Sequence, residues 1–434
     1  MALLLSYCVY PSIIDQDFVP FEAKQVIGHT YSDNDHINPK QRLLYVLTDP
    51  DSIISDIFNV PAKLKKRVFF WASIYALYPS SSIILHDRYN LGTLYTVIDG
   101  EPLKTRKKLI NAMNRERDNL RKILLRVSKA GGINHFKPRG KDELRIATVL
   151  RATMSNEESK NAHKNIRSQD GQSDFIKKGI EVSSRYMPVI EYMFKEDKLP
   201  WELTRLPFVE SSFNIEATSK VGAGGIWQIM DDTGKKFMDT DPHYDERRSP
   251  FKASTVAAKL LKENYQILGS WPLAITAYNH GPGGLKKAIK QLKTRDISEI
   301  VERYKNPRFG FASQNFYAEF LAALYVTVYA NKLFDDIKKE QPMSFSYLKI
   351  EKDMSIGKLS EISGLSIKEI SFYNPEFSNK IIKNVIPIKK NSLIKLPPRA
   401  SYKLEDYFLQ YSDENKIEKR KKARGDLNVP EIDR

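Results

Sequence analysis

Between Ser173 and Leu333 apolar residues recur at helical spacing, and the runs are cut by glycine and proline rather than by strand-like alternation. This periodicity constrains the fold more than any other feature, because helices with one apolar stripe must pack on each other to bury it. Ile176, Ile180, Met187, Ile190 and Phe194 share one face of a helix that opens at Ser173 as N-cap and ends before Leu199-Pro200. Ser249-Pro250 supplies a cap and a first helical position, and Ala253, Val256, Ala257, Leu260 and Leu261 form the stripe behind it, closed by Gly269. A long apolar helix follows from Gln314 to Leu333. Residues 170–335 therefore read as a compact all-helical domain.

The pattern differs on both sides. Residues 1–50 hold Pro11, Pro20, Pro39 and Pro50 and read as an irregular lead-in. Residues 51–165 read as an α+β region. Pro61 sits at a first helical turn, followed by Val68, Trp71, Ala72, Tyr75 and Tyr78 at helical spacing. Two β-rich runs, Ser82 to His86 and Leu94 to Ile98, form a hairpin across Asn90 and Gly92. A basic helix from Leu103 to Ala130 turns Leu109, Met113, Leu120 and Leu124 inward and reads as solvated on its charged face. The polar stretch 155–173, with Gly171, marks a domain boundary. Residues 343–398 read as a β-α-α-β unit, with helices ended by Gly364 and by Asn374-Pro375. The charged tail 413–434 reads as disordered. The fold class is mainly α.

Composition narrows the function. The 434 residues suffice for roughly three domains. A net charge of +16 points to a polyanionic partner: nucleic acid, anionic lipid or an acidic cell-wall polymer. The single cysteine, Cys8, excludes an internal disulfide framework and cysteine-clustered metal sites. No run of about 18 apolar residues exists to span a membrane. The apolar start, Met1 to Cys8, has no basic residue ahead of it, and Tyr7 replaces the small residue expected before a lipidated cysteine. It reads either as a frayed end or as a truncated export signal, which leaves membrane attachment near the N-terminus open.

Three segments carry the chemistry. Glu210 is the one charged residue between Arg205 and Glu216, inside the run Leu206 to Phe213. Desolvation there favours the neutral carboxyl, as a general acid needs, although a buried Glu can equally serve a helix end. The second segment, Val221 to Met230, has three glycines within four residues, so its backbone can approach a ligand closely. It lacks the spacing of phosphate and dinucleotide loops, while Trp227 and Gln228 offer a stacking face and an amide suited to an N-acetylated sugar. In the third, an apolar helix ends in Tyr278 and Asn279 before the break Gly281-Pro282-Gly283, which suits a cleft.

Taken together and in order, these segments resemble the lytic transglycosylase family of peptidoglycan-cleaving enzymes. The resemblance rests on Glu210-Ser211, on Gly225 to Met230 with Gln228 between, and on Ala277-Tyr278-Asn279 with Gly281. The family's fourth motif, a Tyr before an apolar helix, falls on Phe316 with Tyr317 beside it. Residues 343–398 resemble a divergent LysM carbohydrate-binding module, with Lys352 where glycine is usual.

The resemblance implies a goose-type lysozyme-like helical fold over 170–335 and a periplasmic, possible membrane-associated place in the bacterial cell envelope. It implies cleavage of the β-1,4 bond between N-acetylmuramic acid and N-acetylglucosamine. Glu210 would act first as acid and then as base, with Ser211, Gly225, Gln228, Met230, Tyr278, Asn279 and Tyr317 around the substrate. Asp231 and Asp232 read as loop or cap residues, and His280 as a tolerated neighbour where the family has a small residue. The partner would be peptidoglycan glycan strands and not nucleic acid, with no metal or cofactor required; the oligomeric state is left open. A hydrolytic muramidase on the same fold and a non-catalytic wall-binding protein are the alternatives.

Overall fold

The computed structural model describes residues 38–408. The expectations for Cys8, the first residues and the tail 413–434 lie outside them. Among the described residues the chain divides into two compact units: 38–184, 191–213 and 258–340 form the first, and 185–190, 214–257 and 341–408 the second. Each is described by itself.

The first unit opens with α1 (Pro39–Val46), capped by the Asn38 side chain, which accepts from the Lys40 N–H at 2.9 Å. The lead-in read as irregular to residue 50 thus contains a helix, because Asn38-Pro39 is a cap followed by a proline at its first position. Then come α2 (Lys65–Ala76), β1 (Ile83–Asp87), β2 (Leu94–Ile98), α3 (Arg106–Lys129), α4 (Lys141–Thr153), α5 (Asn156–Asn161) and β3 (Ile166–Asp170). The expected hairpin forms, with Ile83 opposite Ile98 and an irregularity at Leu85/His86. β3 adds to its other edge, antiparallel, with Ile83 opposite Asp170 and His86 opposite Arg167. The stretch 155–173 is therefore no boundary: its polar residues hide a strand whose backbone completes the sheet. One core lies beneath this sheet, built from Leu85, Tyr95, Leu109, Leu124, Ile146 and Leu150.

The expected single helix from Ser173 is two, α6 (Ser173–Ser183) and α7 (Met187–Glu196), and Gln172 rather than Ser173 stands before the first. Pro188 explains the break, since a proline removes the N–H that a continuous helix would need and belongs in a first turn. Next are α8 (Leu206–Ser211), α9 (Asp231–Gly234), β4 (Thr240–Asp241), β5 (Tyr244–Asp245), α10 (Pro250–Leu268), α11 (Trp271–His280), α12 (Pro282–Leu292), α13 (Ile297–Arg303), α14 (Phe311–Val328) and α15 (Ala330–Leu333). α14 is buried nearly all round and packs against α2, α8 and α11, as its apolar composition requires.

In the second unit, β6 (Ser346–Lys349), α16 (Ile356–Ser363), α17 (Ile367–Tyr373), α18 (Asn379–Ile382) and β7 (Leu393–Leu396) form the C-terminal module. β6 and β7 pair antiparallel, Ser346 opposite Leu396, over a core of Leu348, Ile350, Leu359, Ile370 and Ile394. Gly364 ends α16 at φ +74°, and Ser366 with Glu369 forms a capping box on α17. Asn374 is buried, donates to the carbonyls of Ile370 and Lys395 and accepts the Lys395 N–H. Residues 398–408 are helical and bury Ala400, Leu404 and Phe408, so the module extends past the expected end at 398.

Residues 214–257, inside the expected all-helical domain 170–335, fall in the second unit with the C-terminal module, and they include the hairpin β4–β5. Here Asp245 N–H donates to the Glu376 carbonyl and Ser378 N–H to the His243 carbonyl, both at 3.0 Å, which extends the hairpin across to the module. Beside this seam Lys395, with Glu376 as ion-pair partner, also donates to Ser249 Oγ at 3.2 Å.

Candidate active site

In the first unit the six-residue α8 ends in a sharp reversal. Ser212 and Phe213 both have positive φ, 52° and 60°, and Phe213 N–H turns back onto the Pro207 carbonyl. Leu206, Pro207 and Phe208 are buried, so the helix is anchored on its apolar side and presents Glu210 and Ser211 in its last turn. Gly179 of α6 permits this: a Cβ there would lie 2.2 Å from the Ser212 carbonyl oxygen.

Burial pushes the Glu210 carboxyl from 4.5 up to about 8. The negative end of the helix dipole acts in the same sense. Glu210 borders a cavity of about 530 Å³ lined also by Ser80, Arg106, Asp170, Gln172 and Phe175. Arg106 and Asp170 are paired there at 2.6 Å. Ser211 Oγ donates to the Pro207 carbonyl at 3.3 Å.

Three further side chains lie within reach of the Glu210 charge. Tyr278 of α11 and Tyr75 of α2 have hydroxyls held well above their usual range, first by burial and then by neighbouring carboxylates, Glu210 in both cases. Glu319 of α14 is pushed up to about 8, first by burial and next by Glu210, with Arg167 opposing. Asn279, exposed at the end of α11, accepts from Ser313 Oγ at 2.9 Å. His280 also meets Ser313 Oγ at 3.3 Å, and burial lowers its imidazole below the usual range. The family's small residue can be a histidine here because Gly284 makes room: a Cβ there would come 2.4 Å from His280 Nε2.

Tyr317 does not join this group. It is buried with its ring stacked on Phe320, and its hydroxyl is raised by burial and by Tyr325. Phe316 is buried as well.

Gly225, Gln228 and Met230 belong to the second unit. Gly225 has φ +70°, and a Cβ would fall 1.8 Å from the Arg247 carbonyl oxygen. Gln228 Nε2 donates to the Gly225 carbonyl at 2.9 Å, so the amide braces its own loop. Arg247 pins the same loop by donating to the Gly222 carbonyl at 2.8 Å while paired with Asp245. Met230 is 43% exposed. Trp227 is no stacking face: it is fully buried and its indole N–H donates to Ser254 Oγ at 2.8 Å. Asp231 is the first residue of α9, behind Met230 as N-cap, and pairs with Lys235 without capping the helix.

Sequence reasoning passed over Tyr75, Arg106, Asp170 and Glu319. A signal for Glu319 was present, since it is the one charged residue among the 18 of α14.

Residues 187–301 match the Transglycosylase SLT domain family. Over 115 residues it is 40% identical to membrane-bound lytic murein transglycosylase D of Escherichia coli strain K12, covering 26% of this chain and 25% of that protein. The same protein from an O6:H1 strain matches equally. The chain thus spans about a quarter of the length of these relatives. Among solved structures, the 70 kDa soluble lytic transglycosylase of Escherichia coli aligns at 14% identity and a TM-score of 0.29, covering 73% of this chain and 57% of that one. Among the described residues no helix is long and apolar enough to cross a membrane.

Proposed function

We propose that this chain is a peptidoglycan lytic transglycosylase that cleaves the β-1,4 bond between N-acetylmuramic acid and N-acetylglucosamine. The observation that carries the reading is Glu210: a carboxyl raised to about 8 by burial, bordering a cavity, in the Glu-Ser motif of a matched SLT domain. Protonated at neutral pH, it gives its proton to the leaving glycosidic oxygen. As carboxylate it then takes the proton of the C6 hydroxyl on the same muramoyl residue. That hydroxyl is tethered, so it competes effectively with water, and the product is a 1,6-anhydro sugar.

Tyr278 orients the acid, Ser211 supports the turn that presents it, and Asn279 meets the sugar chain. Gly225 and Gln228 shape the loop that carries Met230. The C-terminal module, read as a divergent LysM, binds the glycan strand, and the net charge of +16 draws the protein to anionic wall polymers in the cell envelope.

Mass spectrometry of soluble products from purified peptidoglycan tests this. Muropeptides one water lighter than the hydrolysed form, absent with Glu210→Gln, are expected; no soluble product would refute it. Hydrolysis is the second reading, and Glu319 favours it, because most glycosidases use two carboxyls. Free reducing ends among the products would select it.

A further inference from the structure

The cavity that Glu210 borders has two walls of different origin. Val209, Glu210 and Ser211 come from α8, inside the SLT match. Ser80, Arg106, Asp170, Gln172 and Phe175 all precede residue 187, where that match begins. Backbone contacts fix this second wall. The N–H groups of Gly171, Gln172 and Ser173 donate in turn to the carbonyls of Ser82, Ile74 and Tyr78, at 3.0, 3.0 and 2.9 Å. Ser80 donates through its N–H and its Oγ to the two carboxylate oxygens of Asp174, at 2.8 and 2.6 Å. Gly171 lets the chains close, since a Cβ there would lie 2.3 Å from the carbonyl oxygens of Tyr78 and Pro79.

Three features of this wall suit a ligand, and the cavity is of ligand size. Phe175 turns an aromatic ring outward, 55% exposed. The half-buried Gln172 amide has no hydrogen-bond partner among the described residues. Arg106 gives only Nη2 to Asp170, at 2.6 Å, and the other N–H donors of its fork have no partner among the described residues. Both members of this pair are about half exposed, so it adds little to stability. The segment 104–108 holds four cations and no acid, and Lys104, Lys107 and Lys108 are exposed without an ion pair among the described residues. Asp170 therefore leaves an excess of positive charge beside the cavity. A neutral glycan has use for the ring and the amide but not for a guanidinium. The peptide stem of a muramoyl residue carries free carboxylates, and a guanidinium fork pairs a carboxylate through two parallel hydrogen bonds.

We propose that Arg106 is a specificity residue: seated by Asp170 on the wall that the N-terminal region builds, it takes a carboxylate of the peptide stem and so selects stem-bearing glycan. The inference rests on the reading of the chain as a peptidoglycan-cleaving enzyme with Glu210 as its acid. Gln172 and Phe175 meet the uncharged part of the same ligand. The region before residue 187, which no motif explained, thereby acquires a role: it reads the peptide while α8 presents the acid.

The test compares two preparations of one soluble glycan whose stem amines are acetylated, one with its stem carboxyls free and one with them converted to methylamides. Initial muropeptide release by the full chain is measured for wild type, Arg106→Gln and Arg106→Lys. Wild type should favour the free carboxyls by about tenfold in kcat/KM, mostly through KM, as a charge-assisted pair provides. Arg106→Gln should lose most of that preference, and Arg106→Lys should keep part of it, since the charge stays while the fork is gone. Equal losses on both preparations, or an unchanged preference, overturn the proposal. Failure of the functional reading looks different: wild type then releases nothing from either preparation. Calorimetric binding of a soluble disaccharide tetrapeptide to the full chain, with free and with methylamidated carboxyls, then decides. A preference for free carboxyls that Arg106→Gln removes supports the site without turnover; equal affinities, or no binding, overturn it.

Discussion

The burial that suits Glu210 to donate a proton should also cost the fold stability, and Glu210→Gln exposes that cost. The native carboxyl titrates near 8 and the unfolded one near 4.5. Between those values the native state binds a proton that the unfolded state has released, so stability falls as pH rises across this window. At 1.36 kcal/mol per unit the full loss is about 5 kcal/mol. Glu210 is not wholly buried, so water relaxing round the anion trims this to about 2–5 kcal/mol. Gln cannot ionise and escapes the loss. The variant should match wild type to within about 1 kcal/mol at pH 4 and exceed it by the full difference above pH 8. Urea titrations at pH 4, 6 and 8.5, followed by tryptophan fluorescence, measure this, since Trp71, Trp201 and Trp271 all lie in the first unit. A stability difference that stays constant across pH would refute the reasoning, because packing changes carry no such dependence.

Two further perturbations address the second unit. Glu376→Ala should destabilise it by about 3–5 kcal/mol by stranding the buried Lys395, whereas Glu376→Leu with Lys395→Met should recover most of that loss; equal losses in denaturant titrations would dissolve the buried-pair argument. Gly222 and Gly225 both have positive φ, but only Gly225 faces backbone at its absent Cβ. Gly222→Ala should cost about 1–2 kcal/mol and Gly225→Ala distinctly more, and thermal melts that rank them the other way would contradict the loop geometry.

Much of the local structure was legible in the residues themselves. The helix of α14, the hairpin of β1 and β2, and the module strands with Gly364 and Asn374 follow from periodicity and from cap chemistry, which act within a few residues. Glu210 was legible for a similar reason: an isolated carboxyl in an apolar run has few inexpensive fates. The same rule would have found Glu319, but its helix was read for core packing and its one charge was passed over. Pro188 likewise announced the break between α6 and α7.

What the tertiary structure alone decided is which distant residues share an environment. β3 is polar, and only its ladder to β1 makes it a strand and sets Arg167 opposite His86. Trp227 reads as a ligand platform from its neighbours in sequence and is core because Ser254 waits for its indole N–H. Residues 214–257 carry the family's second motif, yet they pack with the C-terminal module, through backbone hydrogen bonds and a Lys395–Ser249 contact that no local pattern encodes. Short-range preferences fix helices, caps and turns because their partners are neighbours in the chain. Desolvation depends on what folding brings alongside, so the raised pKa of Glu210 exists only once the surrounding helices have closed round it.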